Sequence, residues 1–295
     1  MMTVAEPPPQ GKYVVPALAQ GLSILSLFSR DQLSLTAPEI AQKLSLPRAT
    51  VFRLLHTLQL MGYIRREDDE RHYSLGPALL SRGFEYLASL DLVEVAQPIL
   101  QRLRDETGLS AHMAVRDGRE IVYVSRFPAR TTIASSVNIG TRFPVHGTVM
   151  GRMMICEFSD AELAALFPTE PLPRFTEQTP TLLSDLKALL VEDCKRGYAV
   201  SQSFFEHGVS SIAAPVRDGA GHIVAAVNIT AVDAYIDLPA MHGALKDAVL
   251  NATAEITRWL CSDLSRETRT TATAPAPQKS SSPAKKSKKS ERIHA

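Results

Sequence analysis

Residues 36–75 constrain the fold of this chain more than any other segment. Thr36 and Glu39 have the spacing of a capping box, in which each side chain satisfies the other residue's backbone N–H group. A helix is therefore expected to begin there and to end near residue 46. Pro47 suits the first turn of a second helix, because the N–H group that proline lacks would have no partner at that position.

The second helix, predicted over residues 47–60, has an apolar stripe and an acid-free face. The stripe follows the i, i+3, i+4, i+7 spacing of a buried helix side and consists of Val51, Leu54, Leu55 and Leu58. No acidic residue occurs between Lys43 and Arg66, so the other face suits the major groove of DNA. The residues of this helix expected to contact DNA are Arg48, Ala49, Thr50, Phe52, Arg53 and His56. The alternative is an ordinary amphipathic helix with a few surface arginines.

Residues 62–75 predict a hairpin after this helix. Strand-type residues lie on both sides of a polar turn, and the order helix, helix, hairpin is that of a winged helix-turn-helix. The turn contains four consecutive acidic residues, 67–70, which phosphate groups would repel. If the hairpin contacts DNA, we expect Arg65, Arg66 and Arg71 at its base to do so, with the acidic tip pointing away.

Length and composition bound the remaining possibilities. The chain has 295 residues, which is enough for two modest domains. It has no apolar run near the ~20 residues of a membrane span. Its start lacks the charged-then-apolar pattern of a signal peptide, so none is expected. Its three cysteines are scattered without a C-x-x-C pair. These features favour a cytoplasmic protein without a disulfide framework, a structural zinc site or another cofactor, and without a membrane partner.

The sequence predicts two folded domains between two disordered ends. The expected divisions are a disordered arm over 1–12, a DNA-binding domain over 13–76, a linker helix over 77–91, an effector domain over 92–265 and a disordered basic tail over 266–295. The linker carries large apolar residues that a partner subunit would cover. The tail carries eight Lys and Arg against two Glu, so the rest of the chain has a net charge of about −5. The tail either binds DNA backbone without sequence preference or serves as a solubilising segment.

Mixed helices and antiparallel hairpins indicate an α+β effector domain. The expected strands cover 111–116, 121–126, 131–139, 198–204, 210–217 and 222–230. The expected helices run from Asp91 to Gly108 with a kink or a later start at Pro98, over 147–158, from a capping box at Ser159, from a cap at Thr179, and over 238–264. In the DNA-binding domain, a first helix is expected over 15–28 with the apolar run Leu18, Leu22, Leu25 and Phe28.

Seven short segments, in this order and at this spacing, resemble the IclR family of bacterial transcriptional regulators. They are VPALAQGL at 15–22, LPRATVFRLL at 46–55, GYI at 62–64, GTRFP at 140–144, GR at 151–152, GYA at 197–199 and SIAAPV at 211–216. The resemblance covers roughly residues 15–265. The stretch from Gly83 to Pro98 is similar to the branch that controls aromatic-acid catabolism.

The resemblance implies a winged helix-turn-helix joined to an effector domain of GAF/PAS-like shape. It also implies a homodimer or a pair of dimers on a palindromic double-stranded DNA operator. By the family's pattern, the effector pocket would be lined by Thr148, Val149, Met150, Ser201, Ser211, Asn228 and Thr230. Family members often have small residues where this chain has Val149 and Met150, so the pocket is expected to be narrowed or reshaped.

The residues themselves are compatible with such a pocket. Asn228 and Thr230 are two positions apart, so they point to the same face of a strand. The free N–H groups at the start of the 147–158 helix would suit a carboxylate, which favours a small organic acid as the effector. The alternative is that Asn228 and Thr230 are exposed residues of a half-solvated sheet.

The chain lacks the motifs of the common enzyme classes. Gly208 and Ser210 are out of register for a G-x-S-x-G nucleophile elbow. No Walker loop or G-x-G-x-x-G motif is present, and the histidines form no H-x-x-x-H pair. We therefore predict a ligand-responsive regulator of a catabolic operon and no enzymatic activity. The alternatives are an architectural DNA-binding protein that needs no ligand and uses the basic tail, and a small-molecule enzyme.

Overall fold

The chain forms two compact units, Met1–Ala96 and Gln97–Ala295. The computed structural model describes residues 12–69, 71–130, 137–233 and 238–272. The expected arm therefore lies almost entirely outside the described residues, as does the tail from residue 273 onward. Among the helices of the described residues, none is both long enough and apolar enough to cross a bilayer.

The first unit is a winged helix-turn-helix. Its elements are α1 (Pro16–Leu25), β1 (Ser34–Thr36), α2 (Ala37–Leu44), α3 (Arg48–Leu60), β2 (Ile64–Arg66), β3 (His72–Leu75) and α4 (Ala78–Ala88). The three strands form an antiparallel sheet in the order β1-β3-β2. The β2–β3 hairpin confirms the predicted wing, whereas β1 is a short strand that the sequence analysis did not predict.

The predicted capping box and the apolar stripe both form. The Thr36 hydroxyl accepts a hydrogen bond from the Glu39 backbone N–H, and the Glu39 carboxylate accepts one from the Thr36 backbone N–H at 2.7 Å. Pro47 is the N-cap of α3 and lies one position before its first turn. Val51 and Leu55 are buried in the core of this unit, and Leu54 and Leu58 pack against it.

Two helices leave apolar residues outside the core of this unit. The predicted first helix forms as α1 but ends at Leu25, before the expected residue 28. Of its apolar run, Phe28 lies in the core and Leu25 packs against it, whereas Leu18 and Leu22 are more than half exposed. In α4 no residue is buried, and Leu80, Phe84 and Tyr86 are each more than half exposed.

The second unit contains a six-stranded antiparallel sheet in the order β6-β5-β4-β9-β8-β7. Its strands are β4 (Ser110–Asp117), β5 (Glu120–Phe127), β6 (Arg142–Pro144), β7 (Ala199–Gln202), β8 (Val209–Arg217) and β9 (Ile223–Val232). Its helices are α6 (Val149–Ile155), α7 (Asp160–Leu166), α8 (Leu183–Arg196), α9 (Leu238–His242) and α10 (Ala244–Ala272), and α5 (Asp91–Thr107) leads into it.

The short helix α6 packs on the sheet and starts where the functional residues were expected. A 3-10 turn, Val145–Gly147, precedes it, and the Thr148 hydroxyl caps it by accepting from the Gly151 N–H at 3.1 Å. A Cβ atom on Gly151 would lie 2.2 Å from the Val145 carbonyl oxygen, so only glycine permits this close approach. The buried residues of α6, including Met150 and Met153, share one core cluster with sheet residues such as Ala213.

Several expected elements differ from the structure. Thr179 does not cap a helix: α8 begins at Leu183, and the buried Thr179 hydroxyl accepts from the Thr176 backbone N–H at 2.9 Å. The helix expected over 147–158 is shorter, because the 3-10 turn occupies its start and α6 ends at Ile155. The helix expected over 238–264 is divided into α9 and α10, and α10 runs past residue 265, where we expected the effector domain to end.

Two further expectations have mixed outcomes. The strand expected over 131–139 falls mostly on residues 131–136, which lie outside the described residues, and 137–139 are not a strand. The edge strand is instead β6, which pairs with β5.

Helix α5 runs through Pro98 without interruption, so its start is not delayed as one alternative proposed.

Candidate DNA-binding surface and effector cavity

The acid-free face of α3 is open to solvent. Arg48, Ala49, Arg53 and His56 are exposed, and Phe52 is 61% exposed, because the stripe of Val51 and Leu55 occupies the core. Thr50 is half-buried. Neither Arg48 nor Arg53 makes an ion pair with any of the described residues. The surface therefore carries cationic groups that no carboxylate of the described chain neutralises.

Arginine side chains at the base of the wing interact with neighbouring residues of the hairpin, which was not predicted. Arg65 Nε donates to the Ser74 hydroxyl at 3.0 Å and lies 3.6 Å from the Glu67 carboxylate. The Arg66 guanidinium stands over the Tyr73 ring at 5.9 Å from its centroid. Arg71 is exposed. The Glu67 carboxylate thus lies beside Arg65, and the Tyr73 ring lies beside Arg66.

The acidic tip of the wing has a structural role in the turn. The Asp69 carboxylate accepts from the backbone N–H groups of Arg71 and His72, at 2.9 and 3.0 Å, and contacts the His72 ring. These hydrogen bonds hold the Asp69 pKa well below its usual range, the bond from the His72 backbone contributing most. These hydrogen bonds, which close the turn, explain why an aspartate occupies this position of the hairpin.

A cavity of about 70 Å³ lies in the second unit, beside the start of α6. Its wall contains Thr148, Val149, Met150, Ser201, Ser211, Asn228 and Thr230, which are all seven residues predicted for the effector pocket. The other lining residues are Tyr123, Val137, Phe143, Gly147, Phe205, Glu206 and Val209. Asn228 and Thr230 are 4% and 9% exposed, so the alternative that they are exposed sheet residues is wrong.

Hydrogen bonds give the polar residues of this wall fixed partners. The Ser211 hydroxyl donates to Thr230 Oγ1 at 2.7 Å, and Thr230 Oγ1 donates to the Ser210 carbonyl at 3.1 Å. Asn228 Oδ1 lies 3.0 Å from Nδ1 of His112, its register partner on β4. His112 was not among the residues predicted for the pocket, although its position opposite Asn228 follows once β4 and β9 are paired.

Burial favours the uncharged forms of the His112 and Tyr123 side chains. Desolvation lowers the pKa of His112 to about 4, and the nearby Arg126 guanidinium acts in the same direction. Desolvation also raises the pKa of the Tyr123 phenol. The two rings meet edge to face at a centroid distance of 5.6 Å. Among the described residues that line the cavity, Glu206 alone is charged, and it is exposed.

A buried ion pair holds α6 against α8. Arg152 Nε donates to Asp193 Oδ2 at 2.6 Å, Arg152 also donates to the Val200 carbonyl at 2.8 Å, and both charged side chains are almost fully buried. The Arg152 guanidinium lies 4.8 Å from the centroid of the Phe204 ring. Within the described ranges no three His, Cys, Asp or Glu side chains converge as metal ligands.

Two sequence models of one family match this chain. The IclR helix-turn-helix domain matches residues 17–68, and the C-terminal domain of the bacterial transcriptional regulator IclR matches residues 84–258. The chain belongs to the IclR family. The family resemblance inferred from the short segments is thereby confirmed.

Curated relatives of this IclR-family chain are transcriptional regulators. The chain is 31% identical over 224 residues to the HTH-type transcriptional regulator XynR of Escherichia coli K12, covering 76% of this chain and 89% of XynR. It is 34% identical over 215 residues to the Pca regulon regulatory protein of Pseudomonas putida, covering 72% of this chain and 73% of that protein. The chain is therefore a DNA-binding transcriptional regulator, and the expectation that it is not an enzyme is confirmed.

Solved structures share the fold. A transcriptional regulator of Rhodococcus sp. RHA1 is 34% identical with a TM-score of 0.75, covering 84% of this chain and 99% of that one. An IclR homolog of Microbacterium hydrocarbonoxydans, solved in complex with 4-hydroxybenzoate, is 24% identical with a TM-score of 0.73, covering 83% and 99%. At that identity the second comparison concerns the fold alone. The predicted α+β class with an N-terminal winged helix-turn-helix is confirmed.

Proposed function

We propose that this IclR-family regulator binds a palindromic operator as a homo-oligomer and responds to a small organic acid bound in the cavity beside α6. The exposed, acid-free face of α3 carries the DNA-binding part of this proposal. The cavity, whose wall contains all seven residues assigned to the effector, carries the ligand-binding part.

In the DNA complex, α3 enters the major groove. Arg48 and Thr50 lie at its N-terminal end, nearest to base edges or phosphate, and Arg53 lies one turn further on. A bidentate contact between an arginine and guanine discriminates against a wrong base by roughly 1–3 kcal/mol. Ala49, Phe52 and His56 complete the contact surface. From the wing, exposed Arg71 is better placed than Arg65, because the Glu67 carboxylate lies beside Arg65. Arg66 is the third wing residue assigned to DNA.

Self-association is supported by the apolar residues that the first unit leaves exposed. Leu18 and Leu22 of α1 and Leu80 and Phe84 of α4 are all more than half exposed, although large exposed apolar patches are unusual on monomers. A second copy of this chain would cover them in a dimer or a pair of dimers. Light scattering on a Phe84→Glu variant should report a smaller particle than for the unmodified protein, and an unchanged mass would exclude α4 from the interface.

The acid class is supported by the start of α6 in the cavity wall. Val149 and Met150 are its first two residues, and backbone N–H groups at this position favour an anion. Ligand in the cavity would favour one placement of the two DNA-binding units over another, and helices α4 and α5 would transmit this shift.

Selection of genomic fragments by the purified full-length protein tests the function. We expect enrichment of a palindromic sequence and a change in operator affinity, measured by fluorescence anisotropy at fixed salt, on addition of one member of a panel of organic acids. If no acid changes the affinity, the architectural alternative is favoured. If no sequence is enriched, the proposed function is wrong.

A further inference from the structure

Phe52 places a large apolar side chain in the middle of the cationic face of α3. It is 61% exposed, whereas its helix neighbours Val51 and Leu55 are buried in the core of the unit. Its ring makes no aromatic or cation–π contact with the described residues. The fold therefore does not require a phenylalanine at this position, and the ring is free for a contact with another molecule.

The residues around this ring favour DNA as that molecule. Arg48 and His56 lie one helical turn before and after Phe52, Arg53 is its sequence neighbour, and all three are exposed. A second copy of this chain docked on this face by two-fold symmetry would bring the two sets of arginines together, and like charges repel. A duplex instead supplies phosphate groups on both sides of its groove, which the arginines attract.

The direction of the ring places it near the base edges. Side chains of an α-helix lean toward its N-terminus, so the Phe52 side chain covers the turn that contains Ala49. Ala49 is exposed and carries only a methyl group, which leaves the ring room to approach a base. In helix-turn-helix proteins, the N-terminal residues of the recognition helix are the ones that contact base edges.

A phenyl ring can distinguish bases in the major groove only by apolar contact, because it has no hydrogen-bond donor or acceptor. Thymine presents a C5-methyl group in that groove, and phenylalanine and alanine are among the side chains that contact it. At adenine, guanine or cytosine the ring would instead cover polar edge atoms. Those atoms would lose their water without gaining a hydrogen bond, which is unfavourable.

We propose that Phe52 is a specificity-determining residue that contacts the C5-methyl group of a thymine in each half of the operator, with Ala49 completing the apolar surface. This inference rests on the proposed function and specifies what α3 recognises. Arg48 and Arg53 supply charge and hydrogen bonds beside the ring. The ring supplies a discrimination between bases that does not depend on salt, since a methyl contact releases no counterions.

Replacing thymine by uracil tests the contact without altering base pairing, because uracil differs only in lacking the C5-methyl group. The probes are duplexes of the selected operator in which each symmetry-related pair of thymines is replaced by deoxyuridine in turn. Their affinity for the full-length protein is measured by fluorescence anisotropy. We expect one pair of replacements to weaken binding about fifteenfold, because each buried methyl group that is removed accounts for about fourfold. This factor should be the same at two salt concentrations.

A Phe52→Ala variant shows whether the ring makes this contact. The variant should bind the thymine and uracil operators with nearly equal affinity, and its unfolding midpoint should be unchanged because the side chain is exposed. Leu33→Ala truncates another exposed apolar side chain of the same unit, outside α3, and is the control. It should retain the full preference for thymine over uracil.

Three results would overturn the inference. The first is a selected operator without thymine in its halves, and the second is a set of uracil operators that bind as tightly as the thymine operator. The third is a preference for thymine that persists in Phe52→Ala, which would indicate a response to DNA deformability instead. Binding of the unmodified operator in these cases would leave the proposed function intact. If no operator is selected at all, the proposed function is wrong, and so is this inference.

Discussion

Arginine has opposite surroundings in the two units of this regulator. Arg48 and Arg53 on α3 are exposed and have no carboxylate partner in the described chain, so their charge is available to DNA. Arg152 on α6 is buried and held by Asp193, the Val200 carbonyl and the Phe204 ring. An exposed, unpaired cation costs the fold little, whereas a buried one must be matched by its neighbours. Changes in the first unit should therefore affect DNA affinity, and changes around the cavity should affect stability.

The largest effect is expected at the buried ion pair. Arg152→Met leaves the Asp193 carboxylate without its buried partner, although exposed Arg196 still contacts it, and should lower the free energy of unfolding by about 3–5 kcal/mol. Urea denaturation measures this loss. Arg102→Met, at the half-exposed pair with Glu255, is the control and should cost less than about 1 kcal/mol. If both variants lost the same free energy of unfolding, the buried and the exposed arginine would not differ as described.

The next effect is a loss of stability in acid that depends on His112. Its pKa in the folded state, about 4, is lower than the ordinary value of 6.5, so folding favours the neutral ring. The contribution of the neutral ring to the free energy of unfolding is fully present above pH 6.5. It falls by about 3 kcal/mol in all as the pH falls from 6.5 toward 4. Thermal unfolding across this range should be less pH-dependent for His112→Gln than for the unmodified protein. His222→Gln, at an exposed ring, is the control and should leave this loss of stability in acid in place.

At the DNA-binding surface, we expect a loss of affinity without a loss of stability. Arg53→Ala should weaken operator binding by roughly 1–3 kcal/mol and leave the unfolding midpoint unchanged, because the side chain lies off the buried stripe. Fluorescence anisotropy at matched salt measures the affinity. Arg258→Ala changes an exposed arginine on α10 and is the control. Unchanged affinity for Arg53→Ala would contradict the assignment of this residue.

The smallest effect is expected from the basic tail. Deleting residues 266–295 removes eight Lys and Arg, so it should at most reduce the dependence of DNA binding on salt. The preference for the operator over a scrambled sequence should remain, because α3 is untouched. Loss of that preference in the shortened protein would favour the architectural alternative.

Local sequence patterns allowed most of the first unit to be predicted. The capping box, the apolar stripe of α3 and the hairpin depend on residues within a few positions of one another. The spacing of Leu18 and Leu22 predicted helix α1 but does not determine which side of the helix meets the core, and both side chains are more than half exposed. Strand β1 was missed because three residues carry too little periodicity to identify.

In the second unit, the cavity residues were predicted from the resemblance to a family. The sequence pattern alone would not have identified them. Thr179 precedes a proline and resembles a helix cap, but its hydroxyl is used by a tertiary hydrogen bond to the Phe204 carbonyl instead. His112 is separated from Asn228 by 116 positions, so only the pairing of β4 with β9 brings the two together. Such contacts depend on strand register, which the sequence does not specify locally.

The central claim is that the exposed face of α3 contacts the operator, and photo-crosslinking tests it most directly. Replacing Phe52 by benzoylphenylalanine places a reactive group of similar shape on that face, and replacing Trp259, about half exposed on α10, provides the control. The account predicts crosslinks from position 52 to bases within each half of the operator, and none from position 259. Crosslinks from position 259 with none from position 52, in protein that still binds the operator, would contradict it.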